Sequence, residues 1–98
     1  MTEQSVEEAA HTHARSVVAG DIGTTVRSMT PNGLAAAMAV GNTSWRYQSY
    51  ELAADGQDGE DQLYRVTYLT DQGRLKLRHR FRNIDGAWKV VDVEKIDD

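Results

Sequence analysis

Ninety-eight residues, with 15 acidic and 11 basic side chains and a net charge of -4, describe one small acidic domain that strong attraction to nucleic acid does not suit. The absence of cysteine excludes disulfides and thiolate ligands or nucleophiles, and no apolar run approaches the ~18 residues of a membrane span. The opening MTEQSVEEAA is acidic and polar where a secretory leader is basic and then apolar, so a cytoplasmic location is expected.

Ser5-Val6-Glu7-Glu8 fits a capping box, and Val6, Ala10, His13 and Val17 recur at spacings of three and four, which predicts a first helix ending near Gly20. His13 lies on the apolar stripe of that helix. His11 and His13, two apart, point about 200° from one another and cannot share an ion, so no metal site is expected. Asp21 caps a short second helix through roughly Ser28, and Met29-Thr30-Pro31 breaks it because proline disfavours helix at the preceding residue. An alanine-rich third helix runs from Pro31 or Asn32 to about Val40, and Gly41-Asn42-Thr43 ends it.

Trp45 to Leu52 reads as a strand whose inward pair, Trp45 and Tyr47 or Tyr50 and Leu52, stays open. Ala54 to Asp61 reads as a loop; its carboxylates do not fall at the positions of a calcium loop. Gln62 to Ile96 then divides into three alternating strands. A Gln72-Gly73 turn, or a four-residue loop closed by Thr70 and Leu75, places Tyr68 beside Leu77 and Val66 beside His79. Asp85-Gly86 predicts the second hairpin, with His79 opposite Asp92, or opposite Val90 with Asp92 diagonal.

On this reading one face carries Tyr64, Val66, Tyr68, Leu75, Leu77, His79, Phe81, Trp88, Val90, Asp92 and Ile96. The other carries Arg65, Arg74, Lys76, Arg78, Arg80, Arg82, Lys89 and Lys95 around Leu63, Leu69, Val91 and Val93. Helices first and antiparallel strands after them predict an α+β fold: three N-terminal helices packed on a curved four-stranded antiparallel meander.

The order of parts resembles the NTF2-like superfamily, which includes the SnoaL-like and ketosteroid-isomerase-like proteins. Val17-Val18-Ala19-Gly20-Asp21, Met29-Thr30-Pro31 and Asp85-Gly86-Ala87-Trp88-Lys89-Val90 carry the resemblance, in short pieces that span most of the chain. It implies a cystatin-like cone with a pocket between the concave sheet face and the helices, and commonly a homodimer through the outer sheet face. Some members isomerise, cyclise or hydrolyse small apolar molecules, and many only bind. The isomerase pattern of a helix-one tyrosine with two carboxylates is not matched, because the first helix carries histidines and no tyrosine. No catalytic residue is therefore carried over.

The expected ligand pocket comprises His13, Tyr64, Tyr68, His79, Trp88 and Asp92, with no cofactor. Within it, His79 and Asp92 are the catalytic candidates, since a carboxylate beside an imidazole fixes its tautomer and raises its basicity. Leu63, Leu69, Arg78, Arg80, Val91 and Val93 form the expected dimer face, long arginine stems packing over the apolar residues. The same basic stripe also reads as an anion-binding surface or as solvated charge that keeps an open sheet from aggregating. The leading expectation is a binder of a small, mostly apolar ligand in the cone. A SnoaL-like or isomerase-like enzyme using His79 and Asp92, and a homodimeric interaction module without a ligand, are the alternatives.

Overall fold

The computed structural model describes residues 5–40 and 46–96. Three helices, α1 (Val6–Ala19), α2 (Ile22–Arg27) and α3 (Pro31–Val40), precede four strands, β1 (Tyr47–Asp58), β2 (Asp61–Thr70), β3 (Gly73–Ile84) and β4 (Ala87–Lys95). The strands form one antiparallel sheet in sequence order, and the helices pack on it in an α+β arrangement. No helix among the described residues is long and apolar enough to cross a membrane. Trp45 and the stop signal Gly41-Asn42-Thr43 lie outside the described residues.

Four of the helix boundaries have a chemical cause among the described residues. The Ser5 hydroxyl accepts from the Glu8 N–H at 3.1 Å, and Gly20, at φ 73°, closes α1 as Asp21 N–H donates to the Ser16 carbonyl at 2.9 Å. Asp21 caps α2 through Thr24 N–H at 3.2 Å. Thr30 caps α3 through Gly33 N–H at 3.1 Å, with Pro31 in the first turn, where its missing N–H loses nothing.

The connection between α2 and α3 is stitched to the free edge of β4. Val90 N–H donates to the Ser28 carbonyl at 2.8 Å, and the Val90 carbonyl accepts from Thr30 N–H at 3.0 Å, making a short parallel bridge. This satisfies the Val90 donor and acceptor, which the edge would otherwise leave bare. Gly33 then lies so close to Val90 that no side chain fits between them.

The sheet departs from the expected pairing in four places. The segment predicted as a loop is a continuing hairpin, in which β1 reaches Asp58 and β2 starts at Asp61 around a Gly59-Glu60 turn. At the next hairpin, Asp71-Gln72 form the turn and Thr70 pairs with Gly73, so Tyr68 faces Leu75 and Val66 faces Leu77. That slip of two residues keeps every side chain on its predicted face. In β1 the pairing shifts at Gln48, which lets Tyr47, Tyr50 and Leu52 all pack against the core.

The fourth departure alters the site. Asp85 and Gly86, at φ 53° and 87°, make the predicted two-residue turn, and Phe81 pairs with Val90. A bulge at Val91 then pairs Arg80 with Asp92 and His79 with Val93. From there on the faces of β4 are exchanged. Val93, expected outside, is buried in the core, and Asp92, expected inside, is exposed. Regular pairing would have put an ionised carboxylate under the helices and a valine in water. One extra residue avoids both penalties, which for a buried unpaired charge run to several kcal/mol.

The buried core joins Tyr64, Val66, Tyr68, Leu75, Leu77, Phe81, Val90 and Val93 to Ala10, Ala14 and Met29 from the helical layer. Ile96 is half-buried where the sheet ends, and its N–H donates to the Lys76 carbonyl.

Candidate functional site

Beneath α1, the structure brings together four of the six residues expected to line the pocket. His13, Tyr64, Tyr68 and His79 are each no more than 9% exposed and pack within the core. The His13 and His79 rings meet edge to face with centroids 5.1 Å apart, and Phe81 stands edge-on to both His13 and Tyr64. Trp88 is half-buried at the margin of the core. Asp92 is the correction: it stands across from Arg80 on the other face of the sheet, so the predicted His79–Asp92 pair does not form.

His13 is held by a polar seam between the first two helices. Its Nδ1 lies 2.6 Å from the Ser28 hydroxyl, which donates onward to the Thr25 carbonyl at 2.7 Å. The serine proton being spent there, Nδ1 carries the imidazole proton and His13 is the donor. Burial pushes the His13 imidazole down to about 4 and that of His79 to about 3, the neighbouring His13 adding to the second shift. Both rings are neutral at pH 7. A neutral imidazole with another imidazole for a neighbour lacks the carboxylate that would make it a strong base. His11 points elsewhere, its Nδ1 2.9 Å from the Tyr50 hydroxyl.

Tyr68 carries a different anomaly. Its ring is stacked on Tyr47 with centroids 5.1 Å apart, and its buried hydroxyl has no hydrogen-bond partner among the described residues. Burial raises the phenol above its ordinary range. An orphaned hydroxyl contributes a desolvation penalty with no return. Tyr68→Phe is accordingly expected to leave stability unchanged or raise it by about 1 kcal/mol in urea unfolding. A loss of that size would mean that the hydroxyl has a partner in solution.

On the outer face, the predicted basic stripe is real but is matched by carboxylates from the segment read as a loop. Asp55 meets Arg78 at 2.6 Å and Arg65 at 3.4 Å, and Arg78 also meets Glu94 at 2.6 Å. Asp58 and Asp61 each meet Arg80 at 3.0 Å. Arg82 grips Asp61 with two parallel bonds of 2.9 Å. The Arg82 hydrogen bonds, with those of Arg80, hold the Asp61 carboxyl down at about 2. Cross-strand neutralisation leaves this face a lattice of ion pairs. The half-buried Leu63 and Val91 lie beside these pairs, and Leu69, 43% exposed, stands across from Arg74 toward the other end of β2.

Where α3 begins beside β3 and β4, the outer side has a depression of about 480 Å³ lined by Thr30, Asn32, Arg80, Arg82, Ile84, Val91 and Asp92. Ile84 and Val91 supply apolar lining. Arg80 engages its two aspartates through Nη1 alone, and Arg82 engages Asp61 through Nε and Nη2. Among the described residues, Nε and Nη2 of the first guanidinium and Nη1 of the second have no acceptor and remain as donors. Asp92 accepts from Val93 N–H with Oδ1, leaving Oδ2 open. Arg80, Arg82, Val91 and Asp92 were all singled out from the sequence, the two arginines within the stripe that also reads as an anion-binding surface. Thr30, Asn32 and Ile84 were not placed in a site, because only the α3 junction brings Thr30 and Asn32 beside the end of β3.

Comparison with protein-family models, with curated proteins and with solved structures finds no match to this chain.

Proposed function

We propose that this chain is an NTF2-like ligand-binding domain that does no acid–base chemistry of its own, with its ligand held on the outer side of the sheet, between the start of α3 and strands β3 and β4. The observation that carries this reading is that Arg80, Arg82 and Asp92, each with polar atoms unengaged among the described residues, line a depression of about 480 Å³ together with Ile84 and Val91. A volume of that size suits a small molecule, and a mostly polar lining with charges of both signs, beside the apolar Ile84 and Val91, can orient one. The space expected to serve as the pocket is instead occupied by the packed rings of His13, His79, Tyr64 and Phe81. An isomerase-like mechanism loses its support with the separation of His79 from Asp92.

Two-dimensional amide NMR tests the reading, using a mixture of neutral, acidic and zwitterionic small molecules. The expected result is shifts confined to Thr30, Asn32, Arg82, Ile84, Val91 and Asp92. Shifts centred on Tyr64, His79 and Trp88 would return the site to the cone, and an unchanged spectrum would remove the reading.

A second reading, a homodimer through the outer face, is favoured by apolar side chains left on it, Leu63 and Val91 beside the ion pairs and the exposed Leu69 toward the other end of β2. Light scattering decides it, since a monomer at high micromolar concentration excludes this interface as a stable one.

A further inference from the structure

We infer that the depression between α3 and strands β3 and β4 takes a small zwitterion with an apolar body, a molecule of the free amino-acid type; this rests on the ligand-binding reading above and specifies its chemistry. The charges lining the space are of both signs. Arg80 and Arg82 present cationic donors, and Asp92 presents an anionic acceptor. Asp92 is the cross-strand neighbour of Arg80, so the two signs stand side by side on adjacent strands. No ion pair joins those two neighbours, although Arg80 reaches Asp58 and Asp61 at 3.0 Å. Each therefore has capacity left for something else.

A simple carboxylate would satisfy the guanidinium donors but would sit beside the open Oδ2 of Asp92 and be repelled by it. A simple ammonium would satisfy Asp92 and face two arginines. A molecule bearing both charges answers both sets. Its carboxylate accepts from Arg80 and Arg82, and its ammonium donates to Asp92. Asn32, whose amide can donate or accept, stands at the rim where α3 starts. Ile84, 38% exposed, and Val91 offer the surface on which an aliphatic body lies. Asp58 and Asp61 stand behind the arginines as fixed counter-charges, which keeps the site from being a general anion trap.

The test compares three probes of one shape: leucine, isocaproate, which lacks the amine, and isoamylamine, which lacks the carboxylate. Each is titrated into the full chain and followed through the amides of Asn32, Arg82, Val91 and Asp92. Leucine is expected to bind at least about tenfold more tightly than either singly charged probe. Asp92→Asn keeps an oxygen to accept from Val93 N–H but removes the charge, and its expected effect is to bring leucine down to the level of isocaproate. Equal binding of leucine and isocaproate to the unaltered chain overturns the zwitterion while leaving a ligand site in place, and tightest binding by isoamylamine does the same. Perturbation of those amides by none of the probes, nor by the mixture used above, sinks the inference and the ligand-binding reading together. An Asp92→Asn chain that folds normally and still prefers leucine tenfold assigns the ammonium elsewhere and refutes the role given to Asp92.

Discussion

Acidification from about pH 7 to about pH 5 is expected to remove roughly 4 kcal/mol of folding stability through two imidazoles. In the unfolded chain each takes up a proton near 6.5, whereas burial holds the folded His13 near 4 and His79 near 3. Below the unfolded value the unfolded state binds more protons, so stability falls with falling pH. The loss begins near 6.5 and ends once the folded rings also titrate. At about pH 5 the deficit is about 1.5 pH units per ring, or about 2 kcal/mol each. Small domains hold about 5 to 15 kcal/mol in all, so a loss of this size is a large share of the total and is expected to lower the urea midpoint without by itself unfolding the chain.

The carboxylate contribution falls elsewhere on the scale. Asp61, held near 2 by Arg82, gives stability that is present above its ordinary value of 3.8 and lost only as pH falls toward 2. Losses above pH 5 therefore belong to the histidines. Urea titrations across this range check the assignment, with His79→Phe and His13→Asn as the informative changes; asparagine retains a donor for the Ser28 hydroxyl. Each variant should lose about half of the pH slope, whatever it does to stability at neutral pH. A flat profile between 7 and 5 in the unaltered chain, or an undiminished slope in the double variant, would show that the rings are not held neutral.

Replacing Gly33 by alanine is expected to cost about 2 to 4 kcal/mol, although alanine is the better helix former by about 1 kcal/mol. The added methyl would fall on the Val90 carbonyl oxygen, 2.8 Å from its carbon and 3.3 Å from the Val91 Cα. These are backbone atoms that cannot rotate aside. Relief requires α3 to withdraw from β4, which pulls on the bonds linking Ser28 and Thr30 to Val90. Gly23 in α2 is the control. A methyl there meets the end of the Arg27 side chain at 3.4 Å, which can move, so Gly23→Ala should be neutral or stabilising by up to about 1 kcal/mol. Equal urea midpoints for the two variants would deny the close approach of α3 to β4. The same substitution bears on the proposed site, because Thr30, which accepts from Gly33 N–H, and Asn32, which precedes it, line the depression.

Which residues form helices and strands was legible because the signals are local. Ser5, Gly20, Asp21 and Pro31 mark helix ends through bonds made within a few residues, and Leu75, Leu77, His79 and Phe81 alternate without interruption. Asp85-Gly86 specifies its turn because both residues tolerate positive φ. The slip at Asp71-Gln72 was invisible and harmless, since a shift of two preserves the faces. In β4 the spacing of Val90, Val91 and Val93 held a clue to the bulge: burying two valines while keeping Asp92 in water requires a break in alternation.

The composition and periodicity of this chain specify its elements, their order, and most of the side chains in its core, because caps, turns and alternation depend on near neighbours. Where Asp92 points, which carboxylates meet which arginines, and the hollow beside α3 follow from contacts between residues as distant in the chain as Asp55 and Arg78 or Ser28 and Val90. Those contacts were settled by relative energies: a bulge cost less than a buried carboxylate, and an edge strand was better paired with a passing loop than left bare to water.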